Sequence, residues 1–298
     1  MNIKKWLKFN TTSLAGKTVA VTGTTGGIGK QLCRYLAGLG ANLILLDRNP
    51  LKSEKFRAEL IKEYEVSVKC FKVDLEDIIS VKNVVCKLRS ETINVFIHNA
   101  GAYSIPRHMC DTGLDNVFQI NFASPYYITK ELLPQLRQVD GRVVAVGSIA
   151  HNYSKTDMND IDFSTRKQAS LVYGNAKRYL MFSLYELFKG EEKASLAVTH
   201  PGITFTNITA HYPKPIFALI KHPMKIIFMK PEKACLSILK GVFTKTDYHE
   251  WIGPSLFNVW GCPAICRLST CSVEESRRIG ASAEDILQKT EKVSEPVL

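Results

Sequence analysis

The feature that most constrains this chain is a glycine-rich turn between two apolar runs of different periodicity. The first run, Val19–Val21, predicts a buried strand, and residues 31–39 place apolar side chains at helical spacing. Between them Gly23, Gly27 and Gly29 form a G-x-x-x-G-x-G pattern. A glycine turn from a strand into a helix suits a pyrophosphate, because the backbone approaches closely and the helix start offers free N–H groups. An ordinary connecting turn is the alternative at this point.

Length, composition and charge narrow the class of protein. The chain has 298 residues, 45% of them hydrophobic, and no apolar run approaches the roughly 20 residues of a membrane span. The basic start is not followed by the apolar core of a signal peptide, so we expect a soluble, cytoplasmic protein. Without a secretory signal, we expect the eight cysteines to be reduced thiols. They form no C-x-x-C pair, and the three near the end of the chain have no histidine nearby at ligand spacing, so we expect no metal site. The net charge of +11 is spread along the chain, which favours a basic surface over a nucleic-acid site.

Strand-like and helix-like runs alternate from Lys17 to Thr199 and predict an α/β protein with a doubly wound parallel sheet flanked by helices. Further strands are predicted at residues 42–46, 67–73, 93–97, 142–146 and 195–199. Helices are predicted at residues 52–64, 78–88, 114–136 and 173–188. We expect one domain over residues 1–298, with a core at 15–210 and 231–255, a helical substrate lid at 203–230 and a C-terminal extension at 256–298.

Polar and turn residues follow the predicted strands, at the edge of the sheet where ligands bind. Asp47 and Arg48 follow the second strand, Asp74 and Leu75 the third, and Asn99–Gly101 the fourth. Ser148 follows the fifth strand, and Pro201 with Gly202 follows the sixth. Residues suited to a nucleotide and its reaction follow five of the predicted strands, which favours a nucleotide-binding site over ordinary loops.

Tyr173 and Lys177 lie four residues apart on a predicted helix, so their side chains share a face. A nearby ammonium favours the phenolate and lowers a tyrosine pKa from about 10, which makes the phenol a general acid or base. Ser148 is placed to hydrogen-bond a substrate oxygen and Tyr173. Asn121 is placed to anchor a water or the long helix itself. The tyrosine–lysine pair alone is also common on surface helices.

Together these residues resemble the short-chain dehydrogenase/reductase family. The shared motifs occur in the family's order: residues 22–29, Asp74, Asn99–Gly101, Asn121, Ser148, Tyr173-x-x-x-Lys177 and residues 201–206. The resemblance implies a Rossmann-type fold and hydride transfer between an alcohol or carbonyl and NAD or NADP. It implies that Tyr173 is the general acid/base, and that Lys177 tunes its pKa and binds the nicotinamide ribose. It also implies that Ser148 holds the substrate oxygen and Asn121 supports a proton relay.

The resemblance further implies a set of cofactor-binding residues drawn from the glycine turn, the strand ends and the catalytic helix. They are Gly23, Thr25, Gly27, Ile28, Gly29, Asp47, Arg48, Asp74, Leu75, Asn99, Ala100, Gly101, Tyr173, Lys177, Pro201, Gly202 and Thr206. Asp47 repels a 2′-phosphate and accepts from ribose hydroxyls, so the sequence favours NAD. Arg48 resembles the residue that NADP-using relatives place after the second strand, which keeps NADP open.

Within the family, residues 147–151 and 200–202 resemble the retinol-dehydrogenase-like members, with Gly147 and His98 replacing a usual serine and asparagine. The apolar inner face expected of the substrate lid at residues 203–230 predicts a lipophilic alcohol or carbonyl as substrate, contacted by Ser148, His151, Tyr173 and Phe217.

The predicted lid, residues 203–230, carries two apolar runs with lysines around them, and its prolines exclude one continuous helix. The alternative to a lid is a packed structural cap. The lysines leave open a peripheral contact with an anionic membrane, which we expect less than the lid. For the whole chain, the alternative to an enzyme is a non-catalytic nucleotide-sensing or scaffold protein. The resemblance to the family also leaves open that the protein forms a homo-oligomer.

Overall fold

The computed structural model describes residues 2–203 and 229–293, and these contain one eight-stranded sheet. Its strands are β1 Thr18–Thr22, β2 Asn42–Asp47, β3 Val68–Lys72, β4 Val95–His98, β5 Arg142–Val146, β6 Ser195–Thr199, β7 Glu250–Leu256 and β8 Trp260–Arg267. The order across the sheet is β3-β2-β1-β4-β5-β6-β7-β8. Neighbours pair in parallel except β7 and β8, which are antiparallel.

Helices connect the strands and cover both faces of the sheet. They are α1 Ile3–Asn10, α2 Gly27–Gly38, α3 Pro50–Glu63, α4 Ile78–Leu88, α5 Asn116–Phe118, α6 Ser124–Arg137, α7 Ala169–Leu187, α8 Pro231–Phe243 and α9 Val273–Glu291. Alternate strand residues enter two separate buried clusters, such as Ala20 on one face and Val19 on the other. One cluster includes α4, α6, α7 and α9, and the other includes α1, α2, α3 and α8. The predicted doubly wound α/β fold is confirmed.

The predicted helix over residues 114–136 is interrupted. Between α5 and α6 the chain forms a π-helical turn at Gln119–Ala123. Pro125 lacks the N–H that a continuous α-helix would donate to the carbonyl of Asn121, so the regular ladder cannot continue there. Such π-turns occur frequently at functional sites, and this one contains Asn121.

Residues beyond 256 complete the sheet and add a helix to it. Phe257 and Asn258 have positive φ angles of 54° and 57° and turn β7 into β8. The following helix α9 packs on α7, with Ile279 and Ala283 fully buried. The predicted lid lies outside the described residues, apart from Ile203, Met229 and Lys230. Within the described ranges, no helix combines the length and apolarity needed to span a bilayer.

Candidate active site

The turn between β1 and α2 is a cradle of backbone with no room for a side chain at Gly23 or Gly29. Gly23 has a φ of 71°, and a Cβ on it would lie 2.9 Å from the Cα of Ala100. A Cβ on Gly29 would lie 2.2 Å from the carbonyl oxygen of Gly23. The residue that caps α2 is Gly26, which offers no side-chain hydrogen bond. The first N–H groups of α2 therefore lack a side-chain partner, which suits an anion such as a pyrophosphate.

A cleft of about 470 Å³ lies along the carboxyl ends of β1 to β4. It is lined by all predicted cofactor-binding residues of the glycine turn and of the ends of β2, β3 and β4, namely Gly23, Thr25, Gly27, Ile28, Gly29, Asp47, Arg48, Asp74, Leu75, Asn99, Ala100 and Gly101. The fold thus brings together residues from four separate loops. The cleft is also lined by residues that were not predicted from the sequence, namely Asn49, Lys52, Tyr103, Ile105 and Ile120.

Asn99 and Thr22 fasten the end of β4 to the glycine turn. The Thr22 hydroxyl oxygen accepts from the backbone N–H groups of Asn99 and Ala100, at 3.1 and 3.0 Å. The Asn99 side-chain amide donates to the carbonyls of Thr22 and Gly23, at 2.9 and 3.1 Å. Asn99 therefore shapes the cradle, and both hydrogens of its amide face the glycine turn.

Asp47 fastens the other side of the glycine turn. Its Oδ1 accepts from the backbone N–H and the hydroxyl of Thr25, at 3.1 and 3.2 Å. Its Oδ2 accepts from the hydroxyls of Thr24 and Ser53, the latter at 3.0 Å. The side chain is 3% exposed. Both carboxylate oxygens are thus engaged within the protein, and the signal in the sequence is the pair of threonines inside the glycine turn.

Asn121, Ser148, Tyr173 and Lys177 come from three parts of the chain and meet at the inner end of this region. Ser148 follows β5 and hydrogen-bonds to the Tyr173 phenol on α7. The Lys177 ammonium lies one helical turn further, 5.7 Å from the centre of the Tyr173 ring, and donates to the Val146 carbonyl at 2.9 Å.

Glycine at position 101 permits this convergence. A Cβ there would lie 2.8 Å from Oδ1 of Asn121 and 3.5 Å from Nζ of Lys177. The loop after β4 can therefore reach Asn121 and Lys177 only without a side chain at this position.

Burial dominates the titration of the tyrosine–lysine pair. It raises the pKa of Tyr173 to about 12, against the hydrogen bond from Ser148, which lowers that pKa. It lowers the pKa of Lys177 to about 8. The sequence predicted that Lys177 would lower the pKa of Tyr173 below its ordinary value. The direction differs because desolvation penalises the charged form of each group.

The Asn121 side chain anchors the loop that follows Gly101. It is fully buried, and its amide nitrogen donates to the carbonyls of Ala102 and Val117, both at 2.8 Å. Its oxygen accepts from the N–H of Ala102 at 3.2 Å. These contacts favour the anchoring alternative for the side chain, while support of a proton relay stays a prediction.

The predicted substrate contact of His151 disagrees with the structure. Its ring is fully buried, and its two nitrogens contact the Ser148 carbonyl and the Thr270 hydroxyl. Gly202, with a φ of 80°, lies against the carbonyl of Val259, which a Cβ would approach to 2.8 Å. Thr206 and Phe217 lie outside the described residues.

This arrangement defines a dinucleotide-binding α/β protein of Rossmann type with a serine, a tyrosine and a lysine beside the cleft. Comparison with known families supports this class of protein, because the family model described as short chain dehydrogenase matches residues 17–165. The chain belongs to the short-chain dehydrogenase family, as the sequence resemblance predicted.

One curated relative resembles the chain in sequence, and two solved structures share its fold. Retinol dehydrogenase 12 of Mus musculus is 31% identical over 205 residues, which cover 66% of this chain and 64% of that protein. A crystal structure of an uncharacterised protein from Mycobacterium paratuberculosis has a TM-score of 0.72 and 22% identity, covering 96% of this chain and 97% of the other. A short-chain dehydrogenase from Sphingobium yanoikuyae in complex with NADPH has a TM-score of 0.60 and 18% identity, covering 95% and 98%. The chain spans about two thirds of the length of the curated relatives that it matches.

Proposed function

We propose that this protein is an NAD(P)-dependent oxidoreductase that interconverts an alcohol and a ketone or aldehyde. The observation that carries the proposal is the meeting of Ser148, Tyr173 and Lys177 beside a cleft whose glycine cradle fits a pyrophosphate. The nicotinamide of the cofactor, when bound, accepts or supplies the hydride. The residues of the chain then have only to orient the substrate and move one proton.

In this mechanism the Ser148 hydroxyl holds the substrate oxygen, and Tyr173 exchanges the proton with it. During carbonyl reduction the phenol donates its proton to the oxygen as the carbon gains the hydride. During alcohol oxidation the phenolate takes that proton back. Lys177 is positively charged below its pKa of about 8 and stabilises the phenolate that reduction leaves behind. The serine hydrogen bond acts in the same direction.

For the cofactor, we infer a preference for NADP. The sequence argument for NAD required a carboxylate at Asp47 that accepts from the ribose hydroxyls. In the structure four donors from Thr24, Thr25 and Ser53 already occupy both oxygens of that carboxylate. Arg48 and Lys52 are exposed on the rim of the cleft, where two positive charges would attract a 2′-phosphate.

Titration of the protein with both cofactors tests this preference. NADP should bind at least tenfold more tightly than NAD, and Arg48→Ala should weaken NADP binding while leaving NAD binding nearly unchanged. Lys82→Ala is the control, because it removes a lysine of α4 that lies outside the cleft, where its ammonium donates to the carbonyls of Glu291 and Val293. Tighter binding of NAD to the wild type would contradict this preference, because it would show that the Asp47 carboxylate accepts from the ribose hydroxyls instead of from its protein donors.

A lipophilic substrate is the second part of the proposal. The relatives named retinol dehydrogenase support it, and so do the exposed side chains of Leu256, Phe257 and Trp260, which surround the β7–β8 turn near Gly202. The substrate lid at residues 203–230 and a cytoplasmic location remain predictions, and a peripheral contact with anionic membranes is expected less than the lid. Comparing short and long homologous alcohols tests the substrate class, and equal kcat/KM along the series would contradict it.

Turnover itself is tested with a panel of alcohols and carbonyls and both cofactors, followed at the nicotinamide absorbance. We expect turnover with lipophilic members of the panel. Clear cofactor binding without turnover of any compound would instead support the nucleotide-sensing or scaffold alternative.

A further inference from the structure

We propose that the loop between β8 and α9, residues 268–272, braces the catalytic Ser148, with His151 and Thr270 as positioning residues. The inference rests on the proposed function in one respect, the role of Ser148 as the group that holds the substrate oxygen. It assigns a catalytic purpose to a C-terminal segment that lies outside the cofactor cleft.

His151 links the backbone of Ser148 to the hydroxyl of Thr270. The Ser148 carbonyl can only accept, so Nδ1 of His151 carries the proton and donates to it at 2.6 Å. Nε2 is then the acceptor, and the Thr270 hydroxyl donates to it at 2.8 Å. The two partners together fix one tautomer and one orientation of the imidazole.

The imidazole is also held by its neighbours. The Trp251 ring lies edge-on at 5.4 Å between centroids, and the Phe182 ring lies at 6.0 Å. His151 has no exposed surface. The ring therefore transmits the position of Thr270 to Ser148, because it has no room to turn away.

Arg178 holds Thr270 in place from the catalytic helix. This buried side chain follows Lys177 directly, and its Nη2 donates to the Thr270 carbonyl at 2.6 Å. The same guanidinium pairs with both carboxylate oxygens of Glu275 at the start of α9, at 2.9 and 2.7 Å. Its Nη1 also donates to the His151 carbonyl at 3.3 Å. One guanidinium thus joins the catalytic helix, the Ser148 loop and the C-terminal segment.

The consequence for catalysis is geometric. Ser148 begins the short 3-10 turn Ile149–Tyr153, and two further hydrogen bonds hold it, from the N–H of Ala150 to its hydroxyl and from the N–H of His151 to its carbonyl. A hydroxyl that must meet both the substrate oxygen and Tyr173 loses rate when it is displaced by a fraction of an ångström. The brace removes that freedom through residues that do not line the cleft.

Thr270→Val tests the brace, since it removes the hydroxyl but keeps the shape of the side chain at an exposed position. We expect kcat to fall about five- to twentyfold, while the Kd of the cofactor stays unchanged, as expected for a loss of orientation. Thr270→Ser should restore the wild-type kcat. His151→Asn keeps a donor near the position of Nδ1 and should retain more kcat than His151→Leu. Thr290→Val, which removes a buried hydroxyl from α9 outside this network, is the matched control and should keep kcat.

Hydrogen exchange gives a readout that needs no turnover. The amides of Ala150 and His151 should exchange about fivefold faster in Thr270→Val than in the wild type or in Thr290→Val, because their acceptor residue is less fixed. Faster exchange without any measurable turnover would support the brace and contradict the proposed function. Unchanged exchange and unchanged kcat in Thr270→Val would overturn the brace. A cofactor Kd that weakens in proportion to kcat would also overturn it, since that indicates a general structural role.

Discussion

At the scale of single residues, burial of Tyr173 and Lys177 disfavours the charged forms, phenolate and ammonium, that the proposed mechanism uses. The spacing in the sequence correctly places both groups on one helix, but it carries no information about how much water surrounds them. Burial raises the pKa of Tyr173 to about 12 and lowers the pKa of Lys177 to about 8. At neutral pH the tyrosine is therefore a neutral phenol, ready to donate, and the lysine is mostly charged.

Tyr173→Phe removes the proton donor and keeps the ring. Turnover should fall by about 10²- to 10⁴-fold, the usual contribution of a general acid or base, while the Kd of the cofactor changes little. Steady-state kinetics and a cofactor titration measure the two effects separately. Near-normal turnover of the phenylalanine variant would contradict the assigned role.

The pH dependence of carbonyl reduction should report the titration of Lys177. The lysine is charged below its pKa of about 8 and loses that charge as the pH rises above it. The rate of reduction should therefore be constant near pH 7 and fall above about pH 8, because the phenolate left by reduction is no longer stabilised. A pH–rate profile checks this, and Lys177→Arg should lose the decline near pH 8. A flat wild-type profile up to pH 9.5 would argue against it.

At the scale of elements, the sequence predicts best where apolar runs end at sharp boundaries. The predicted bounds of β5, β6 and α4 match the structure, and Asp77 caps α4 by accepting from two backbone N–H groups. The interruption at Gln119–Ala123 was not predicted, since three of its five residues are apolar and the segment fits a regular helix as well. Its cause is a long-range contact of Asn121 together with Pro125, and only the proline was visible as a local signal.

Gly101→Ala tests whether the loop after β4 must lie directly on the π-turn. The new Cβ would meet Oδ1 of Asn121 at 2.8 Å, and the loop would have to move away from Asn121 and Lys177. We expect at least a tenfold weaker cofactor Kd and a larger loss of kcat/KM. Gly38→Ala at the end of α2 meets only an ordinary contact at 3.5 Å and should leave both values unchanged. Wild-type binding by the Gly101 variant would show that the loop adapts.

At the scale of the whole molecule, the C-terminal third was the part that the sequence could not predict. β8 lies at the edge of the sheet and exposes Trp260 and Ile265, so its sequence shows no alternation of apolar and polar residues, and its pairing with β7 depends on contacts across the hairpin. The glycine cradle, by contrast, follows from local steric rules, so its residues were recognisable. The ion pair of Arg178 with Glu275 joins positions far apart in the chain, which no local pattern indicates.

Three of the buried histidines, whose pKa values burial lowers most, should make the whole fold sensitive to acid. Burial lowers the pKa of His98 and His200 to about 3 and of His151 to about 4, below an unfolded value of about 6.5. Between these values the unfolded chain binds protons that the folded chain does not. The free energy of unfolding should therefore fall as the pH decreases from about 6.5 towards 4, and these histidines should add no pH dependence above about 7.

His98→Asn removes one of these titrating groups. Asparagine is a suitable replacement, because the short-chain dehydrogenase family usually carries asparagine at this position. The loss of unfolding free energy between pH 7 and pH 5 should be about 1–2 kcal/mol smaller in this variant. Urea unfolding at the two pH values measures it, with Thr290→Val as a non-titrating control. Equal losses in the variant and the wild type would mean that His98 becomes protonated within the folded protein.

The most direct test of the account is the transfer of deuterium from a cofactor labelled at the nicotinamide C4 position to a lipophilic carbonyl. The account predicts that the wild type places the label on the carbonyl carbon of the product alcohol, and that Tyr173→Phe does so at least 100-fold more slowly with unchanged cofactor binding. Mass spectrometry of the product measures both. Bound cofactor without any transfer of label, or equal transfer by the two proteins, would contradict the assignment of this site to tyrosine-assisted hydride transfer.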